Sequence, residues 1–252
     1  MVFFSGSYFV VLYYLPIYFQ AVHNANPIGS GVRMLALIIP LTFAAIAQGF
    51  AFTKVGIVPL FWLAGGSLGA IGSGLLYTMD EATGPGRWIG FQILVGFAVG
   101  LTTQVALQNA QVQVRSEDLS QATAIINCEF NCCVHTSELG ATLTKTVPVC
   151  LTIGGSFFIS AAQCGFNNQL VKHFVANLPE LDPALALSTG ATQIRTAFTP
   201  EQAHIVVDGY VDGLKTVFAI TTAAFGFAAL VGLLGSWKRL SAEDIKRVQD
   251  GG

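Results

Sequence analysis

Several long apolar runs indicate the fold class of this chain, because an α-helix needs about 20 apolar residues to cross a bilayer. Charged residues make up only 10% of the 252 residues, and the mean hydropathy is +0.62. A typical soluble domain carries roughly 25% charged residues. The sequence therefore predicts an all-α integral membrane protein. The full-length runs cover about Val2–Val22, Val32–Phe52, Pro59–Met79, Trp88–Ala110 and Leu214–Trp237.

Between the fourth and the last of these runs lie two apolar pieces that are too short to span alone. Leu119–Asn127 stops at a polar, cysteine-rich stretch, and Leu151–Phe166 resumes after it. Joined directly, the two pieces would make one ordinary helix. We therefore predict a six-helix bundle whose fifth helix is interrupted by an anomalous insert, residues 128–146, with residues 147–166 as the remainder of that helix.

The insert carries three cysteines and a histidine in a CxxxCCxH pattern, and three interpretations stay open. Cysteine and histidine are zinc ligands, but the pattern lacks the paired spacing of a zinc site. A disulfide-stapled insertion is the second interpretation. The third is a retained intron: Cys128–Phe130 can be encoded with a splice donor, Leu143-Thr144 with a branch point, and Thr146-Val147 with an acceptor. This third interpretation explains the cysteine cluster and the broken helix together.

The cations in the short loops predict the orientation of the spans. Six crossings place both termini on the same side of the membrane. The short loops and the tail on that side carry six Lys or Arg residues, and the loops on the other side carry two. We therefore expect cytoplasmic termini, an extracytoplasmic loop over residues 167–213 and a cytoplasmic tail over residues 238–252. The inner cations are Lys54, Arg115, Lys238, Arg239, Lys246 and Arg247, and the outer ones are Arg33 and Arg87.

Segment boundaries follow from these runs. Residues 1–127 hold four spans and the start of the fifth, and residues 214–237 form the sixth. The first run begins at Val2, so either the protein starts inside the membrane or an upstream part is missing. Within the outer loop, Thr199-Pro200-Glu201-Gln202 predicts a helix start with a capping box.

Small residues four positions apart predict close contacts between helices, because they let two backbones approach in a membrane. Three of the runs carry such a stripe. The stripes contain Gly65 and Gly69, Gly96 and Gly100, and Ala228 and Gly232.

Uncharged polar side chains within the runs have two interpretations of equal weight. Tyrosine and glutamine suit a cavity for planar, neutral or weakly polar ligands, and they also form hydrogen bonds between helices. These candidates for a substrate lining are Tyr14, Tyr18, Gln48, Gln104 and Gln108.

Ionisable residues are absent from the core of the five full-length runs, so no catalytic, metal or cofactor site is predicted and the chain is not expected to be an enzyme. Asp208 and Asp212 lie near the outer mouth of the last run, where they suit proton entry. The alternative is a pair of exposed acids, with Lys215 one turn on from Asp212. The net charge of −2 does not indicate a nucleic-acid partner.

Five motifs are long enough to compare with known families: YYLPIYFQAV (Tyr13–Val22), SGVRMLALIIP (Ser30–Pro40), RWIGFQILVGFAVGL (Arg87–Leu101), LDPALALSTGATQIR (Leu181–Arg195) and GYVDGLKTVF (Gly209–Phe218). They resemble the major facilitator superfamily, and more narrowly the fungal 14-span drug:proton antiporters. They occur in that family's order along nearly the whole chain outside the insert. TKVGIVP, where the family has a cytoplasmic loop motif, departs from it by carrying one cation and no acid.

The resemblance implies that the chain is the C-terminal six-helix bundle of an efflux transporter. Such a transporter would export small organic compounds, such as secondary metabolites, toxins or drugs, by proton antiport in its full-length form. Its partners would be the lipid bilayer, the substrate and a missing N-terminal bundle or another half-transporter. We expect a multi-pass protein of the plasma membrane, or alternatively of the vacuolar membrane. The alternative function is a non-transporting scaffold or regulatory half, or an inactive relic.

Overall fold

A computed structural model describes residues 2–112, 141–178, 189–235 and 237. These residues form helices and contain no strand, which confirms the predicted all-α class. The helices are α1 (Val2–Ala21), α2 (Pro27–Arg33), α3 (Leu35–Val55), α4 (Val58–Tyr77), α5 (Pro85–Val112), α6 (Ala141–Asn177), α7 (Ile194–Ala197) and α8 (Pro200–Leu233).

Local capping residues set several helix ends. At the start of α2 the Gly29 backbone N–H donates to Asn26 Oδ1 at 2.6 Å, which satisfies one of the unpaired amides of the first turn. Helix α3 ends where Gly56 takes the left-handed conformation, with φ of 63°. Helix α8 begins with Thr199 as N-cap and Pro200 in its first turn, and the Thr199 N–H donates to Gln202 Oε1 at 3.2 Å. The predicted helix start at Thr199 is confirmed.

Five segments among the described residues are long and apolar enough to cross a membrane. They correspond to the five full-length runs of the sequence, so a multi-pass membrane protein is supported by helices as well as by composition. They are Val2–Ala21, Pro27–Val55, Val58–Tyr77, Pro85–Val105 and Pro200–Leu233.

Helices extend into the predicted outer loop, residues 167–213, from both ends. Helix α6 continues to Asn177, and α8 begins at Pro200, in agreement with the predicted helix start at Thr199. The physical reason is that a helix does not have to end where its apolar run ends. The polar end of α6 still buries Leu170 and Phe174, one turn apart, against the rest of the bundle. The membrane boundaries of this loop stay a prediction.

The predicted start of the second half of the broken span also differs from the structure. Helix α6 begins at Ala141, so residues 141–146, assigned to the insert, belong to the same helix as residues 147–166. Excision of the whole predicted insert would therefore remove the first turn of α6. Residues 119–127 and the cysteine cluster lie outside the described residues, and the retained-intron hypothesis stays a prediction.

The small-residue stripes lie at contacts between helices. Helix α3 packs against α5, and α4 packs against both α5 and α8. A Cβ added at Gly69 of α4 would lie 2.7 Å from the Phe225 ring of α8, and one at Gly232 would lie 3.0 Å from Trp62 Cβ. Gly65 contacts Thr102 in the same way, and Ala228 is buried. These contacts have no room for larger side chains.

Two further glycines bring α5 against α3. A Cβ on Gly96 would collide with the Leu37 carbonyl oxygen, and one on Gly100 would lie 2.6 Å from Ala44 Cβ and against the Leu41 carbonyl oxygen. On the other side of the bundle, α1 packs against α6 and α8. The helices therefore form one bundle with a shared core.

Candidate functional site

Tyr14 and Tyr18, two of the predicted lining residues, lie buried in the core of this chain, at 2% and 1% exposure. The Tyr14 ring lies 5.7 Å from the Phe166 ring of α6, between centroids. The Tyr18 hydroxyl donates to the Asp80 carbonyl oxygen at 2.8 Å, which ties α1 to the loop between α4 and α5. Both side chains therefore contact other parts of the bundle, and their role toward a substrate stays a prediction.

The structure brings Gln48 and Gln108 together and leaves Gln104 apart. Gln48 of α3 is fully buried, and its Nε2 donates to Gln108 Oε1 of α5 at 2.8 Å. This bond joins two helices, as the second interpretation of the glutamines requires. Gln104, one turn earlier on α5, is exposed, so it is the member of the set best placed to meet a solute.

Gln92 is a buried polar residue that the sequence analysis missed. It lies on the inward face of α5 between Trp88 and Val95 and is 0% exposed. Neither its Oε1 nor its Nε2 has a hydrogen-bond partner in the described part of the chain. An unpaired buried amide costs about 1–3 kcal/mol, so a trapped water is expected there. The sequence signal for this buried residue was a single glutamine among the apolar residues that follow Trp88.

Asp208 lies at the end of the bundle where the loop after α4 meets the start of α8. Ligand atoms of Asp208, His204 and Glu81 all lie within 4.8 Å of one another. His204 Nε2 is 3.8 Å from Glu81 Oε2. A groove of about 550 Å³ beside them is lined by Arg195 as well as Glu81 and His204. The cluster is open to water, and the proposed role of Asp208 in proton entry stays a prediction.

Asp212 pairs with a residue that the sequence analysis did not consider. Its Oδ2 lies 3.4 Å from His173 Nδ1 of α6, and its Oδ1 lies 3.5 Å from Lys215 Nζ. The lysine contact is the one expected from the spacing. The histidine contact joins the C-terminal part of α6 to the N-terminal part of α8. It was missed because residue 173 fell in a segment predicted to be a loop.

His23, between α1 and α2, is held near a cation. The Arg33 guanidinium lies over the rings of Phe19 and Trp88, at 5.4 and 5.9 Å from their centroids. His23 Nε2 is 3.2 Å from the Tyr18 hydroxyl. Burial, and secondarily the charge of Arg33, lower the pKa of His23 from its ordinary value of 6.5.

We expect acid to destabilise the bundle through His23. A lowered pKa in the folded state means that the unfolded chain binds the proton more tightly. The stability that neutral His23 contributes is therefore present above pH 6.5 and is lost as the pH falls through the folded pKa. The melting temperature of the detergent-solubilised protein should fall between pH 7 and pH 5, and less so in His23→Gln. An equal fall in both proteins would contradict this assignment.

Comparison with curated proteins finds relatives along the whole chain. A probable efflux pump of Penicillium aethiopicum is 57% identical over 251 residues, which cover 100% of this chain. An MFS-type transporter of a Penicillium species is 39% identical and covers 95% of the chain. The MFS acetylaranotin efflux transporter of Aspergillus terreus is 32% identical and covers 96%. The similarity therefore includes all the helices described above.

These alignments cover only part of each relative: 42%, 39% and 49% of the three proteins, respectively. The chain thus spans less than half the length of the curated relatives it matches, as expected for one half of a two-bundle protein. No family model matches the chain. No solved structure matches it either.

Proposed function

Because the chain belongs by homology to the fungal MFS-type transporters, we propose that it is the C-terminal half of an exporter for small organic compounds. The observation that carries this proposal is the 57% identity to a probable efflux pump along the entire chain. Relatives with named cargo include a dehydrocurvularin exporter and an acetylaranotin efflux transporter. Fungal secondary metabolites and related toxins or drugs are therefore the substrate class that we propose.

A single bundle supplies half of the binding site that such a transporter needs. Secondary transporters of this kind hold substrate near the bilayer midplane between two repeats, and they work by rocking one repeat against the other. We therefore propose that the partner of this chain is an N-terminal bundle, in the same polypeptide or in another half-transporter. The plasma membrane is the proposed location, since export across it removes the compound from the cell.

Proton coupling would depend on the complementary half. Helices α1 and α4 contain no acidic, basic or histidine residue, and α3 carries only Lys54, in its last turn. Ionisable residues at membrane depth normally mark proton relays. We therefore propose that the group that carries the proton lies in the other bundle, with Asp208 and Asp212 at the outer entrance.

A growth assay tests the proposed function. The chain is joined to the part of the Penicillium aethiopicum pump that it does not cover, with and without residues 128–146, and expressed in an efflux-deficient yeast. At least one version should confer resistance to some members of a panel of neutral toxic compounds. Gln104→Ala should alter which compounds are tolerated, and the buried Gln92→Ala should mainly lower protein yield. Sensitivity equal to that of the empty vector, at normal expression, would contradict the proposal.

A further inference from the structure

Helix α6 carries a continuous polar stripe on a face that no other described helix covers. The stripe consists of Ser156, Ser160, Gln163 and Asn167, at intervals of four, three and four residues. The first three are exposed and Asn167 is partly exposed. The Ser160 hydroxyl donates to the Ser156 carbonyl oxygen at 2.9 Å. The side-chain amides of Gln163 and Asn167 make no hydrogen bond within the described part of the chain.

The stripe lies at membrane depth. Gly154 packs against Val2 at one end of α1, and Phe166 packs against Tyr14 further along, so α1 and α6 run side by side in the same direction. Helix α1 has 20 residues and is itself a candidate span, about 30 Å long. By this register Gln163 lies level with the middle of α1. A free amide at that depth cannot be left facing lipid at low cost.

The exposed face of α3 provides the contrast. This helix and α2 form the most apolar of the candidate spans, and only 22% of their apolar window is buried. Phe43, Ile46 and Phe50 on it are 66%, 57% and 71% exposed. Ile46 lies near the middle of its helix, as Gln163 does relative to α1. The same bundle therefore shows an apolar outer face suited to lipid and a polar outer face that is not.

We propose that the polar stripe of α6 lines a water-filled passage and supplies hydrogen bonds to the solute that moves through it. Polar side chains in spanning helices face the bundle interior or an aqueous cavity, and the interior of this bundle lies on the other side of α6, where Phe158, Ala162 and Phe166 are buried. Water and a solute with donors and acceptors would satisfy the Gln163 amide in turn, which makes its exposure at this depth tolerable.

The chemistry of the stripe indicates the class of solute. Hydroxyls and carboxamides are neutral, and each both donates and accepts hydrogen bonds. They suit uncharged organic molecules with hydroxyl or carbonyl groups, and they offer no counter-ion to a charged one. This refinement of the substrate class rests on the proposed function, whereas the presence of water along the stripe can be measured without transport.

Cysteine accessibility tests the passage. The starting protein is the joined protein described above, with serine in place of the five cysteines of this chain and of every cysteine in the segment from the relative. Single cysteines are then introduced as Ser160→Cys, Gln163→Cys or Ile46→Cys. Intact cells are treated with a charged, membrane-impermeant thiosulfonate. The thiolate is the reactive form and forms poorly in apolar surroundings, so Gln163→Cys and Ser160→Cys should react at least about tenfold faster than Ile46→Cys. Labelling after denaturation shows that all three proteins are present.

The outcomes separate this proposal from the proposed function. Equal, slow labelling at residues 46, 160 and 163, in a protein that still confers resistance, would overturn the polar passage and leave the exporter intact. Fast labelling at residues 160 and 163 without resistance to any compound would support the passage and contradict export. Protection of Gln163→Cys by an exported neutral compound, but not by a charged compound of similar size, is the result expected for the solute class. Equal protection by both compounds would contradict that class.

Discussion

Replacing Gly100 with leucine should prevent the bundle from assembling natively. Its added atoms would meet the Leu41 carbonyl oxygen and Ala44 Cβ, which belong to the backbone and the short side chain of α3. Neither can move aside as the end of a long side chain can, so α3 and α5 would have to separate. Overpacking of a well-packed core typically costs about 1–3 kcal/mol, and a leucine against backbone belongs at or beyond the upper end of that range.

Gly90→Leu on the same helix is the matched control. A Cβ at Gly90 would meet no atom within 4 Å, so the substitution changes apolar volume and helix propensity in the same way without the collision. Size-exclusion chromatography and thermal melting in detergent give the readout. Gly100→Leu should give little monodisperse protein, while Gly90→Leu should behave like the parent. Equal yields and melting temperatures for the two variants would show that α3 and α5 do not make the close contact described.

The sequence predicts the spans well because the bilayer imposes a length and a composition on any helix that crosses it. Val2–Ala21 and Val58–Tyr77 end within two residues of the predicted runs. Hydropathy says less about helix ends where that constraint stops acting. Residues 167–177 and 200–213 are polar enough to look like loop, yet Leu170 and Val206 are buried and keep the helices going. Hydropathy reports which segments lie in lipid, and tertiary packing decides where the helices end.

The candidate site is harder to predict because residue type does not say which way a side chain faces. Tyr14 and Gln48 have the chemistry of a ligand lining, but the structure turns them into the bundle. Gln163 lies in a segment that is apolar on average, and its exposure distinguishes it from Gln92, which is buried. Which side chains of a helix face the core depends on contacts with helices that are distant in sequence, so only the assembled bundle shows it.

The chain expressed alone should fail to export any compound that the joined protein exports. Half of the substrate cavity would be absent, and the bundle would have no second repeat against which to rock. A coupling proton would also find no acidic, basic or histidine side chain in α1 or α4 to bind. Loss of transport should therefore be complete, even where the chain reaches the membrane in normal amounts.

This loss of transport can be measured as efflux from yeast that is first de-energised and then given glucose. Cells are loaded with a radiolabelled compound to which the joined protein confers resistance, and retained label is followed after glucose is added, with equal amounts of protein in the membrane. Cells with the joined protein should lose the compound rapidly, and a protonophore should abolish the loss. Cells with the 252-residue chain alone should retain the compound as empty-vector cells do. Protonophore-sensitive efflux by the chain alone would contradict its assignment as one half of an exporter.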